Sequence, residues 1–253
     1  MDTIYHSLLF VHVCAGVLSL VAFLIPAFAR KGGSLHNRAG RFYVCCMWVV
    51  VGTAATLCVF NLVYGRTVLA GFLGFLTLLT AYPLWYAVTV LKYKKGSPDW
   101  VLDIRRGLNA LLFLGGLGLI VWSVFLGFEG LGMLLLIFGI LGLTAFGAAR
   151  DGRGAAREKE NWMAEHIEGM IGTGIAAYTA FFAFGGRAYF SSIFDDRVMV
   201  IPWILPSIVG TIAIRLAKKK WVREADVRSD VGDAVETTIE VPVRAVSRPP
   251  RHS

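Results

Sequence analysis

Seven long apolar runs, at about 5–29, 41–63, 67–91, 106–128, 130–149, 162–184 and 199–216, leave little room for any fold but a bundle of membrane helices. A hydrocarbon core of roughly 30 Å needs about 20 apolar residues per helix. Barrel strands would instead show polar alternation in segments of about ten residues, which these continuous runs lack. Composition agrees: 56% hydrophobic residues, 17% charged and a mean hydropathy of +0.64 exceed what one soluble core could hide. The expected fold is all-α, a seven-transmembrane-helix bundle over 1–216 with a basic, disordered tail over 217–253. Only Gly127, Glu129 and Gly130 divide the fourth and fifth runs, and their merger would reduce the count to six.

The formal net charge of +8 suggests a nucleic-acid partner until the positions of the cations are considered. Arg30, Lys31, Arg38 and Arg41 fall between the first two runs, Lys92, Lys94, Lys95, Arg105 and Arg106 between the third and fourth, and Arg150, Arg153, Arg157 and Lys159 between the fifth and sixth. The opposite loops hold only Arg66, Arg187 and Arg197. By the positive-inside rule the N-terminus lies outside and the C-terminus in the cytoplasm of a bacterial inner membrane. The charge therefore reports topology, and no nucleic-acid partner is expected. The end of the first run, "PAFARK", imitates a signal-peptidase site, but no Lys or Arg precedes Arg30, so a retained helix is expected.

Cys14, Cys45, Cys46 and Cys58 all lie within predicted spans without a C-x-x-C pair and read as small buried residues. Glycines recur at helix-packing spacing: Gly115, Gly116 and Gly118 in the fourth run, Gly139 and Gly142 in the fifth, Gly169, Gly172 and Gly174 in the sixth. Pro83 should kink the third helix beside Tyr82, Trp85 and Tyr86. The three basic connectors hint at a repeated two-helix unit, although ordinary inner loops look the same.

Ionisable groups within spans are costly, so they mark candidate chemistry. In the sixth run Trp162, His166, Met170 and Thr173 share one helical stripe, with Glu165, Gly169 and Gly172 on the next. His36 and Asp103 lie at the inner ends of the second and fourth helices. A cytoplasmic-side ligand site of His36, Arg38, Arg41, Asp103, Glu165 and His166 follows. The arginines, with Arg105 and Arg106, also suit an anion or lipid headgroup at helix starts, where topology alone would place them. Glu165 and Glu168 could equally snorkel while His166 bonds a neighbouring helix.

Two histidines on different helices also suggest haem or a divalent metal. His36 and His166 share the inner side, whereas His12, the alternative ligand, falls roughly 14 Å from the depth of His166 by helical rise. His12 faces Gly16 and Ser19, which suits an interhelical hydrogen bond.

His12 with Gly16, "LHNRAGRFYV" opening the second helix, and the W-x-x-x-H-x-x-x-M of Trp162, His166 and Met170 together resemble a broad family of predicted bacterial integral-membrane proteins classed as a domain of unknown function. The resemblance spans about 5–215 and implies a multi-pass membrane fold without assigning a catalytic residue. Three functional expectations follow: a membrane protein binding or passing a small ligand; a redox protein carrying b-type haem or quinone on His166 with His36 or His12; and a structural subunit. Whether it is an enzyme stays open, as does a membrane-protein partner or a second copy of the chain.

Overall fold

The computed structural model describes residues 2–94, 96–127, 131–151, 161–185 and 201–222. Among these residues there are seven α-helices and no strand: α1 (Asp2–Phe28), α2 (Ser34–Val63), α3 (Thr67–Thr89), α4 (Asp99–Leu126), α5 (Leu131–Asp151), α6 (Trp162–Ala180) and α7 (Ile201–Ala217). π-helical turns extend α6 over Phe181–Gly185 and α7 over Lys218–Val222. Four helices are long and apolar enough to cross a membrane: Thr3–Phe28, Ser34–Val63, Thr67–Thr89 and Asp99–Leu126. The tail from 223 on, the residues Glu129, Gly130, Arg187 and Arg197 expected in outer loops, and the connector over 152–160 lie outside the described residues.

Two helices begin well before their apolar runs. α2 starts at Ser34 rather than near 41, and α4 at Asp99 rather than near 106. Hydropathy marks where lipid would contact the chain, whereas coiling continues through the polar "SLHNRAG" and "DWVLDIR" until a breaker intervenes. Pro98 before α4 and Gly32 (φ 74°) before α2 supply those breaks. At the sixth run sequence and structure coincide, because Asn161 caps Trp162–Ala180 by accepting from the Met163 and Ala164 amides at 3.2 and 3.3 Å.

α1, α2, α3 and α6 form a closed ring in which each helix touches the next, and α6 returns to α1. Its core is Ala22, Tyr43, Met47, Val51 and Leu84, packed by Phe23, Met170 and Ala177. Polar pins cross it: the Tyr43 hydroxyl meets Thr173 Oγ1 at 2.8 Å, and the Tyr178 hydroxyl donates to the Leu20 carbonyl at 2.8 Å. α4 and α5 dock on the α3 side through Phe72, Phe75, Leu112, Leu119 and Leu135, while α7 docks on α6.

α4 and α5 are separate helices packed side by side. Gly127, at φ 74°, ends α4 in a conformation that other residues rarely adopt. Below this turn the two backbones nearly touch: a Cβ on Gly116 would lie 2.7 Å from the Gly139 carbonyl oxygen. Where lipid is as apolar as the side chains, such close approach is the main source of association.

This contact predicts a contrast between neighbouring glycines. Gly116→Ala should lower stability by about 1–3 kcal/mol through overpacking. Gly118→Ala, whose added methyl meets nothing within 4 Å, should leave the thermal midpoint in detergent nearly unchanged. Equal losses in both variants would contradict the α4–α5 contact.

Candidate functional site

One cluster of polar side chains forms where α3, α4 and α6 meet. Tyr82 and Tyr86 stand one turn apart on α3, their rings stacked at 6.2 Å. Arg105, in the second turn of α4, donates to the Tyr86 hydroxyl at 2.6 Å and lies 4.6 Å from the centre of that ring. Its guanidinium also faces Glu165 of α6 at 3.5 Å, with the two side chains only 17% and 26% exposed. Asn109, one turn farther along α4, donates to the Tyr82 hydroxyl at 3.2 Å and extends the seam inward.

Gly169 lets α6 approach α3 closely enough to close this seam. A Cβ there would sit 2.5 Å from the Ala87 Cβ and 2.8 Å from the Pro83 carbonyl oxygen. One turn before Gly169, His166 donates from Nδ1 to the Ala87 carbonyl at 2.9 Å. Ala87 belongs to the last turn of α3, whose carbonyls lack helical partners. Tyr86 and Thr89 offer their carbonyls to the amides of Val90 and Lys92, and His166 takes Ala87.

A matching arrangement ends α1. The Pro26 carbonyl accepts from Lys31 Nζ at 2.7 Å and from His36 Nδ1 at 3.1 Å, and Ala27 accepts from Lys31 at 2.9 Å. Cations are favoured at helix C-termini. Burial nevertheless holds the Lys31 ammonium below the ordinary lysine range. His36 and Lys31 both lie within electrostatic range of His166, so the two helix ends share one neighbourhood.

Of the six residues expected in the ligand site, Glu165 meets Arg105, His166 bonds the Ala87 carbonyl on α3, and His36 lies within electrostatic range of His166. Arg38 and Arg41 are exposed on the first turns of α2. Asp103 pairs with Arg106 at 2.9 Å on the surface, 68% and 52% exposed, where such pairs contribute little. Glu168 pairs with Lys218. His12 donates from Nδ1 to Thr53 Oγ1 at 2.9 Å, an interhelical bond, since the Thr53 hydroxyl itself donates to backbone carbonyls of α2.

His12, His36 and His166 therefore each use Nδ1 as a donor, which keeps the Nε2 lone pair for a ligand. Among the described residues, no three His, Cys, Asp or Glu side chains converge as a metal would require. The sequence reading passed over Asn109, a polar residue inside an apolar run and 1% exposed, and treated Lys31 only as a topological charge. Asking which polar residues interrupt each run would have found Asn109. No local pattern announces the capping role of Lys31, because its acceptors belong to the preceding helix end.

No family model matches the chain, and the searches of curated proteins and of solved structures found no significant match.

Double-mutant cycles can rank the two ion pairs. Arg105→Gln with Glu165→Gln should show a coupling of about 1 kcal/mol, as expected of contacting residues that keep some solvent access. Asp103→Asn with Arg106→Gln should give less than about 0.5 kcal/mol. Indistinguishable couplings would remove the distinction between seam and surface.

Proposed function

We propose that this chain is a seven-span protein of a bacterial inner membrane, N-terminus outside, that binds or passes a small anion through the cytoplasmic-side seam of Arg105, Glu165 and His166. The carrying observation is the Arg105–Glu165 pair at 3.5 Å, largely withdrawn from solvent. Topology accounts for exposed cations at inner helix ends, but not for a guanidinium drawn between tyrosines and set against a carboxylate. A pair so far withdrawn from solvent adds little to stability, since apolar residues in its place are often neutral or stabilising, and ionisable groups within membrane spans mark candidate binding sites.

The chemistry of the pair indicates how binding would proceed. A guanidinium pairs with a phosphate or a free carboxylate as readily as with the Glu165 carboxylate, so Glu165 is the partner that an incoming anion would replace. A small carboxylate or phosphate could then displace Glu165 and take the guanidinium, while the Tyr86 ring and hydroxyl hold Arg105 in place. His166, the next residue on α6, keeps its Nε2 free while Nδ1 bonds the Ala87 carbonyl. The basic inner connectors would raise the local anion concentration at the mouth. The four apolar helices long enough to cross a membrane support a place in a bilayer.

A panel of small carboxylates and phosphates at millimolar concentration, read by the thermal midpoint of the purified protein, tests this reading. At least one compound should stabilise the native chain. Arg105→Ala should abolish the shift and Asp103→Asn should keep it. A panel without any stabilising compound, or a shift that persists in Arg105→Ala, would refute the proposal.

A further inference from the structure

Away from the Arg105–Glu165 seam, a second cavity of about 270 Å³ opens between α2, the end of α3 and the start of α4. Trp48, Trp85, Trp100 and Tyr93 form its walls, with Lys92 and Thr89 beside them. These residues come from three separate segments, so the cavity is assembled by the fold. Tyr93 and Trp100 meet edge to face at 6.1 Å, and Trp85 lies tilted against Tyr86.

The lining has a definite chemical bias. The Trp48, Trp85 and Trp100 indoles are donors only, and none has a hydrogen-bond partner among the described residues. Lys92 adds an ammonium, and among the described residues no carboxylate lines the space. The Thr89 hydroxyl donates to the Trp85 carbonyl and so turns its own oxygen, an acceptor, toward other donors. Aromatic walls alone would suit a quaternary ammonium, but Lys92 without an acid to balance it disfavours a cation. The complementary ligand is anionic and rich in acceptors, as a phosphate diester is.

Trp48 and Trp100 are 42% and 52% exposed on the flanks of two apolar helices, with Phe42, Val49 and Ile104 exposed on the same helices. A soluble phosphate would leave that apolar rim in contact with water, whereas an acyl chain would cover it. Indole rings at the headgroup level with a lysine beside them are the usual anchors of that boundary. We infer that this cavity binds the phosphate headgroup of an anionic phospholipid, its acyl chains lying along α2 and α4.

The full chain in detergent, mixed with equal amounts of phosphatidylglycerol and phosphatidylcholine of matched acyl chains, provides the test by native mass spectrometry. Phosphatidylglycerol should be retained about fivefold over phosphatidylcholine, the scale of one lysine near an anionic headgroup. Lys92→Gln should bring retention down to the phosphatidylcholine level, Lys92→Arg should restore it, and Lys219→Gln should have no effect. Trp100→Leu should weaken retention of both lipids, and the lipid-free thermal midpoint verifies that each variant is folded. Equal retention of the two lipids, or unchanged preference in folded Lys92→Gln, would overturn the inference. Inorganic phosphate or glycerol phosphate displacing the lipid at millimolar concentration would assign the cavity to a soluble phosphate instead and would equally overturn it.

Discussion

The structure depends on the close approach of α6 to α3 at Gly169. With a side chain there, a Cβ would collide with Ala87 and with the Pro83 carbonyl, and the helices would have to separate. Because they do not, His166 reaches the last turn of α3, Glu165 reaches Arg105 across α4, and Thr173 reaches Tyr43 on α2. One missing side chain thus permits contacts among four helices. Pro83 contributes from the other side: without an amide hydrogen it cannot complete one rung of α3, directly opposite the point of approach.

The histidines gain a physical account from the same geometry. His36 and His166 each satisfy a carbonyl at a helix end that would otherwise lack a partner, in one case together with Lys31. An unsatisfied carbonyl in an apolar environment costs on the order of a few kcal/mol, so these bonds stabilise the C-terminal ends of α1 and α3. Capping does not exhaust the residues, since each ring keeps Nε2. It does move the weight of the functional argument from the histidines to Arg105, whose position no helix end requires.

Much of the helical framework was legible in the sequence. The run at 67–91 corresponds to Thr67–Thr89, and the run that opens at 162 corresponds to the start of α6 at Trp162. The stripe of Trp162, His166, Met170 and Thr173 proves to be the face that α6 turns toward its neighbours: Trp162 packs with Tyr86 and Val90, Met170 with the Tyr43 core, and Thr173 bonds Tyr43. Composition could not show partners between distant segments. Asp103 and Arg105 are two residues apart on α4 and therefore project in different directions, one to the surface with Arg106 and one to Glu165. Sequence spacing separates the two faces but does not say which one meets α6; that depends on the Gly169 contact, 64 positions away from Arg105 in the chain.

Accessibility of the seam from one membrane face tests the central claim most directly. With Cys14, Cys45, Cys46 and Cys58 replaced, Glu165→Cys would be exposed to a membrane-impermeant maleimide in right-side-out and in inside-out vesicles. Labelling only in inside-out vesicles is the expected result, because the proposed topology puts the first turns of α4 and α6 at the cytoplasmic face. Labelling from the outer face, or protection in both orientations, would contradict a cytoplasmic binding seam.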